Sequence, residues 1–227
     1  MSNQVHCRRP VRNLTLTGCF AAVLGGLILF LCLVCVSVTV TLNFRPLYYL
    51  DMKLLHISDI SGYSNDVIRK NFDALIRYNN IWHTGILNFP DFSMSESGRI
   101  HFEEVKKVFS VFEYGALILI PLSAVEIIAA KKKHFGSLFA AAGIISVGIP
   151  ASLGLLIAAN WEWVFITFHK LVFQNDYWLF DPYTDPVITI LPDEFFMHCA
   201  ALIMILVLAG SLAFFAAWKK LAKKKVK

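Results

Sequence analysis

Charge is scarce in this chain of 227 residues: Asp, Glu, Lys and Arg make up 16% of it, against about a quarter of an ordinary soluble domain. The sequence has no His-Glu-x-x-His and no glycine-rich phosphate loop. The first absence argues against the zinc-hydrolase helix and the second against nucleotide-driven work. No internal repeat and no low-complexity linker divides the chain. Cysteine is missing from both long polar segments, 43–107 and 160–194, which excludes a disulfide framework there. Of the five cysteines, Cys7 precedes the first apolar run, Cys19, Cys32 and Cys35 lie within it, and Cys199 opens the last. Cys32-Leu33-Val34-Cys35 has redox spacing, but it sits in an apolar stretch without a βαβ context and reads as packing.

Hydrophobicity is plentiful. Apolar residues make up 57% of the chain and mean hydropathy is +0.60. Four apolar runs stand out, at about 14–42, 108–130, 135–159 and 195–218. Each has roughly 20 residues or more, enough to cross a hydrocarbon core about 30 Å thick. The first is too long for a signal-peptide core of about 7–15 residues. It shows no small-residue cleavage site before Asn43, and so reads as a retained anchor. The expected fold is mainly α, a four-helix transmembrane bundle with a small outward-facing cap built from two extracytoplasmic segments.

Orientation comes from the basic residues. Arg8, Arg9 and Arg12 precede the first run. Lys131, Lys132 and Lys133 separate the second from the third. Lys219, Lys220, Lys223, Lys224, Lys225 and Lys227 follow the fourth. The positive-inside rule places all three clusters in the cytoplasm. That puts residues 1–13, 131–134 and 219–227 inside and the segments 43–107 and 160–194 outside. The clusters hold twelve of the twenty-one Lys and Arg residues. The net charge of +5 is therefore no nucleic-acid signal; membrane lipids are the expected contact. Asn13-Leu14-Thr15 has glycosylation spacing, but on the inner side it is discarded.

The outward segments carry fourteen of the sixteen acidic residues and four of the seven histidines. Ser64-Asn65-Asp66 predicts a helix start. Val67, Ile68, Phe72, Leu75 and Ile76 then predict an amphipathic helix ending near Asn79-Asn80 and lying on the membrane or bundle surface. Asn88 to Gly98 reads as a loop, with helix from about Ile100 running into the second span. Pro121 and Pro150 are tolerable within spans. Gly148 with Ser152, and Gly154 with Ala158, suit close helix approach. Residues 160–194 are rich in aromatics suited to an interfacial belt. Asp181-Pro182 and Asp185-Pro186 look like turns, and Val187 to Leu191 like a short strand or extended stretch.

His101 lies seven residues before Val108, or roughly 10 Å outside the apolar core, at the depth of glycerolipid ester carbonyls. A histidine there exchanges protons near neutral pH. The plain alternative is an interfacial imidazole with one hydrogen bond, and position alone favours it. For His169, with Asp176, Asp181 and Asp185 near in sequence, the two readings balance. His56 has Asp59 three residues on; His83 and His134 read as exposed, and His6 carries no signal. A zinc shell from His56, His101, Glu104 and His169 has weak ligand spacing, so no metal is expected. His198-Cys199 suggests a thiol with a base, but helix neighbours do not face one another. Glu126 is expected to pair with the nearby lysines. Glu113 sits inside a span, where an ionisable group is by default a functional candidate.

Two longer patterns carry more. The first is Asn88, Phe92, Ser95, Gly98 and His101-Phe102-x-Glu104-Val105-Lys106. The second joins Phe168-His169 to Trp178-Leu-Phe180-Asp181-Pro-x-x-Asp185 and Ile190-x-Pro192-x-x-Phe195-Phe196. Together they resemble the bacterial lipoprotein intramolecular transacylases (Lit), over nearly the whole chain. The resemblance implies a four-helix membrane bundle at the bacterial cytoplasmic membrane with its site at the outer leaflet. It implies a diacylated lipoprotein as substrate and transfer of the sn-2 acyl chain to the α-amine of the N-terminal cysteine, giving the lyso form. His101 and His169 would be the catalytic pair, His101 as principal base and acid and His169 polarising the carbonyl or sharing proton transfer. Asn80, Asn88, Glu104, Glu113, Trp178, Asp181 and Asp185 would support them or contact substrate.

Chemistry agrees with that expectation. Turning an ester into an amide is downhill, so neither nucleotide nor metal is needed. The amine and ester share one molecule, so binding has only to bring them into attack geometry. An α-amine with a pKa of about 7.7–8.0 needs only a modest base. Two alternatives stay open at this level: an esterase, which would release free fatty acid, and a non-catalytic lipoprotein-binding protein, which would leave its ligand unchanged. Transport is disfavoured, because four spans with charge concentrated outside give little sign of a midplane ion path.

Overall fold

The computed structural model describes residues 16–132 and 136–224. Arg8, Arg9, Arg12, the Asn13–Thr15 triplet, Lys133, His134, Lys225 and Lys227 lie outside the described residues. Four long helices form the bundle: α1 (Leu16–Asn43), α5 (Glu96–Lys132), α6 (Ser137–Ala159) and α8 (Asp193–Lys224). Each is long and apolar enough to cross a membrane. Between α1 and α5 come α2 (Arg45–Leu54), α3 (Ile57–Ser61) and α4 (Asn65–Asn79). After α6 comes the short α7 (Trp161–Val172).

α1 packs against all three other long helices, and α6 against α8. Helices in lipid approach closely where side chains are small. The close seam here is at Gly26, where a Cβ would stand 2.8 Å from the backbone nitrogen of Ala142, and at Gly143, where it would stand 2.9 Å from the Phe215 ring. It is not at the expected pairs. Nothing lies within 4 Å of a Cβ at Gly148, and Gly154 meets only Met204 Sδ at 3.4 Å. Small residues permit close approach on any face of α6; the glycines of α1 and the ring from α8 decide which face is used. Pro121 and Pro150 both sit within unbroken helices. Among the described residues Glu126 meets no lysine: its carboxylate lies against Gly25, and Oε2 is buried without a partner there.

A second core fills the end of the bundle where α1 finishes and α5 and α8 begin. Tyr48, Ile68, Phe72 and Phe89 of the first polar segment meet Val187 and Ile190 of the second and Phe102 and Phe195 of the long helices. Tyr48 stacks on Phe72 with centroids 3.6 Å apart and donates its hydroxyl to the Ile190 carbonyl at 2.7 Å. Ser64 caps α4 by accepting from Val67 N. The apolar stripe of that helix is buried in the cap's own core rather than laid on a membrane, while Arg69, Lys70 and Arg77 stay exposed.

Residues Pro186–Ile190 form a 3-10 turn, not a strand. Pro186 presets the first dihedral, Ile188 N donates to Asp185 O, and Val187 and Ile190, three apart, both turn inward. Asp51, 1% exposed, receives His198 Nδ1 at 3.0 Å from both carboxylate oxygens. This pair ties α2 to α8 and occupies His198, while Cys199 packs on the cap core.

Gly26→Leu should overpack the α1–α6 seam and cost about 1–3 kcal/mol. In detergent its thermal unfolding should fall by several degrees, while Gly148→Leu should leave the midpoint unchanged.

Candidate functional site

The first three turns of α5, Glu96–Lys107, project beyond its apolar stretch and carry His101. Their start is built from both polar segments. Ser95 Oγ accepts from Gly98 N at 3.0 Å, and Ser95 N donates to Asp185 Oδ1 at 2.8 Å. Thr184 Oγ1 donates to the other oxygen at 2.7 Å. Asp185 is 2% exposed, and a Cβ at residue 98 would run into its carboxylate. Glycine at that position is therefore a packing requirement. Asp181 shapes the preceding turn: its carbonyl accepts from Thr184 N and Asp185 N, and its carboxylate accepts from Tyr183 N.

α7 begins at Asn160, whose side chain accepts from Trp163 N at 2.9 Å. His169 lies in its last turn, and no residue of α7 is fully buried. His169 Nδ1 stands 2.8 Å from Phe165 O. A carbonyl only accepts, so Nδ1 carries the proton and Nε2 of the neutral ring is left with its lone pair.

The two imidazoles meet with centroids 6.3 Å apart and planes 29° from parallel. Aromatic rings enclose them. Phe173 and Phe180 lie 4.7 and 5.4 Å from His101; Phe165 and Trp178 lie 4.2 and 4.8 Å from His169. His101 is only 5% exposed, and among the described residues its Nδ1 is buried without a partner, as is Trp178 Nε1. Unsatisfied buried polar atoms are uncommon in folded proteins; here two stand at the imidazole pair. Burial, together with the neighbouring His169, pushes the His101 pKa down to about 4. Burial also lowers that of His169, opposed by the bond to Phe165 O. Both rings are thus neutral at pH 7.

Glu104, one turn after His101, accepts from Asn175 Nδ2 at 3.0 and 3.2 Å and so ties the chain after α7 to α5. Of the other candidates, Trp178 is against the pair, and Asp185 and Asp181 build its support. Glu113 does not join it: Oε2 accepts from Ile81 N at 2.8 Å. Asn80 donates to Ile76 O at the end of α4, and Asn88 is exposed. His56 pairs with Asp59 on an exposed turn. Among the described residues, no three His, Cys, Asp or Glu side chains converge as a metal shell.

Sequence reasoning missed Phe165, Phe173 and Asn175. Phe165 and His169 had a readable signal, the i, i+4 spacing that stacks neighbours on a helix. Asn175 had none.

The family described as lipoprotein intramolecular transacylase Lit matches residues 23–196. The membrane-integral Lit of Bacillus cereus, solved in meso, superposes with a TM-score of 0.88 at 33% identity, covering 92% of this chain and 97% of that one. Two further structures of the same protein have a single histidine replaced, by arginine or by alanine. They match at a TM-score of 0.83 and 33% identity, each covering 92% of this chain and 93% and 95% of theirs. No curated protein matches the chain.

The chain belongs to the Lit family. It is a membrane-integral enzyme, an intramolecular O-to-N acyltransferase acting on lipoproteins. In this Lit the imidazole pair is assembled from two remote segments, and Asp185 is the clamp between them. Asp185→Ala leaves the start of α5 without its acceptor, a loss of about 1–3 kcal/mol. Transacylation should fall at least tenfold while the protein still inserts and remains folded. Wild-type turnover in this variant would show that His101 does not depend on the clamp.

Proposed function

We propose that this Lit moves the sn-2 acyl chain of a diacylglyceryl-cysteine lipoprotein to the α-amine of that cysteine, with His101 and His169 as the proton-handling pair. The observation that carries this reading is the 6.3 Å separation of two enclosed imidazoles. Rings this close can both reach one reacting centre, each through a hydrogen bond of about 2.9 Å from a ring nitrogen.

The amine must attack as the free base. Its nitrogen bonds to the ester carbonyl carbon, and a tetrahedral intermediate forms. His169 Nε2, the lone-pair nitrogen, takes the proton that the attacking nitrogen then sheds. The C–O bond to glycerol breaks, and the glyceryl oxygen leaves with a proton. His101, neutral and desolvated, gives that proton from its N–H while its other nitrogen takes up the proton that His169 received, so both rings end neutral. Amide and alcohol are formed with no net gain or loss of protons. This division moves the base role to His169 and leaves His101 the acid role, whereas the reading from sequence has His101 in both and His169 polarising the carbonyl or sharing proton transfer. The fixed hydrogen bond of His169 to Phe165 O supports the base role of its other nitrogen.

The proposed orientation puts the cap outside a bacterial cytoplasmic membrane with both termini inside. Lys131, Lys219 and Lys220 lie at the ends of α5 and α8 opposite the cap, as the positive-inside rule requires. The site then stands at the outer leaflet, where diacylated lipoprotein presents its esters.

Two measurements test the chemistry. In membranes with matched protein levels, His101→Ala and His169→Ala should each reduce loss of the substrate's free amine by at least a hundredfold; retained turnover in either removes that residue from the mechanism. The pH profile of kcat/KM is the second. Burial holds His101 at about 4 and lowers His169, so the first group to gain a proton as pH falls from 8 is the substrate amine, at about 7.7–8.0. The rate should therefore fall about tenfold per pH unit below the amine's pKa. A slope of two beginning near pH 6.5 would mean that an unshifted histidine must also be deprotonated.

A further inference from the structure

On another face of α5 lies an open groove of about 820 Å³, lined by residues of that helix from Glu103 to Ile118 and by Tyr78, Gly85 and Ile86. At 100° per residue, its centre lies roughly 130° around the helix axis from His101. It is a separate feature from the imidazole pair. Its chemistry changes steadily along the helix. Lys106, Lys107 and Ser110 line the end near the cap; Val111, Tyr114 and Ile118 line the end toward the membrane. Val111 and Ile118 are 70% and 66% exposed. The lining from Glu103 to Ile118 extends for roughly 22 Å along the axis, comparable to one leaflet of a bilayer.

At the polar end one cation is left over. Glu103 shares the Arg99 guanidinium with Glu96. Lys106 lies over the Tyr78 ring at 4.4 Å and donates to the His83 carbonyl at 2.7 Å, and the Glu113 carboxylate acts on its charge. Lys107 is exposed and has no ion pair among the described residues. At the rim, His83 Nε2 is buried without a partner among the described residues, 3.1 Å from where a Cβ on Gly85 would stand. Two ammonium groups, a hydroxyl and an unpartnered imidazole nitrogen thus stand above a lipid-facing apolar trough.

We propose that this groove is a binding site for one anionic glycerophospholipid. Its phosphodiester sits at Lys106, Lys107 and Ser110, and an acyl chain follows Val111, Tyr114 and Ile118. The occupant is a lipid rather than a peptide because the trough opens along an apolar helix face, and an anionic one because the charge left unpaired there, that of Lys107, is positive. A basic residue near a membrane surface contributes about 1 kcal/mol toward anionic lipid, which corresponds to about a fivefold change in binding. The groove's roof is the loop held by Glu113 at Ile81 and by Lys106 at His83. A bound lipid would brace that loop against α5.

The test uses the full chain, delipidated in detergent and titrated separately with phosphatidylglycerol, phosphatidylcholine and a synthetic diacylated lipopeptide. Native mass spectrometry counts retained lipid, and thermal unfolding reports stabilisation. Phosphatidylglycerol should be retained at least fivefold more than phosphatidylcholine and should raise the unfolding midpoint. Lys107→Glu should abolish the preference while leaving the lipid-free midpoint unchanged. Val111→Trp, which fills the trough and leaves the charges intact, should reduce retention of the same lipid. Equal retention of the two phospholipids, or a preference untouched by both substitutions, overturns the proposal. So does displacement of phosphatidylglycerol by an equimolar amount of the lipopeptide, which would assign the groove to substrate. None of these readouts uses turnover, so the result stands apart from the fate of the histidine mechanism.

Discussion

Two imidazoles kept out of water by the packing of the cap are the constraint on which the rest of this structure turns. Phe102 belongs to the cap core and is the next residue after His101. Phe180 stacks on Phe102 at 5.3 Å and meets His101 edge-on at 5.4 Å. The contacts that fold the cap are thus the contacts that desolvate the histidine. Burial disfavours the charged form of a base, and a neutral imidazole has both a proton to give and a lone pair to take one. A charged ring would have only the first. The fold and the protonation state of its site have a single cause.

The two halves of the pair are held with unequal firmness. His101 rides on α5, a long helix whose start is capped by Ser95 and clamped by the buried Asp185. His169 rides on a short helix with no fully buried residue. Its position relies on the Asn160 cap, on the Phe165 carbonyl and on the Glu104–Asn175 bond that fixes the chain after α7. A neutral hydrogen bond contributes about 0.5–1.5 kcal/mol and one to a charged group such as Glu104 about 1.5–3 kcal/mol, so a few polar ties do for α7 what hydrophobic burial does for α5. The loose half is also the half against which Trp178 lies.

Much of this was legible in the residues. Apolar runs of spanning length mark the four long helices, and the Ser64 cap with its 3.6-residue periodicity marks α4. The distance from Val108 back to His101 places that histidine outside the apolar stretch. Local signals failed where a distant partner decides the outcome. Val187 to Leu191 has β-branched residues but no neighbouring strand, so Pro186 and the Asp185 carbonyl fold it into a 3-10 turn. The small residues of α6 announce close packing without saying which face is used. Glu113 looks like site chemistry because it is ionisable within a span, yet its partner is a backbone amide 32 residues earlier. Asp51 and His198 lie 147 residues apart, and no motif joins them.

The most direct measurement is tandem mass spectrometry of the N-terminal peptide of a diacylated lipoprotein incubated with the purified protein. The account requires an unchanged total mass, with fragment ions placing one acyl group on the cysteine nitrogen and one left on the glycerol. A peptide lighter by one acyl group with free fatty acid released, or one still carrying both esters and a free amine, would contradict it.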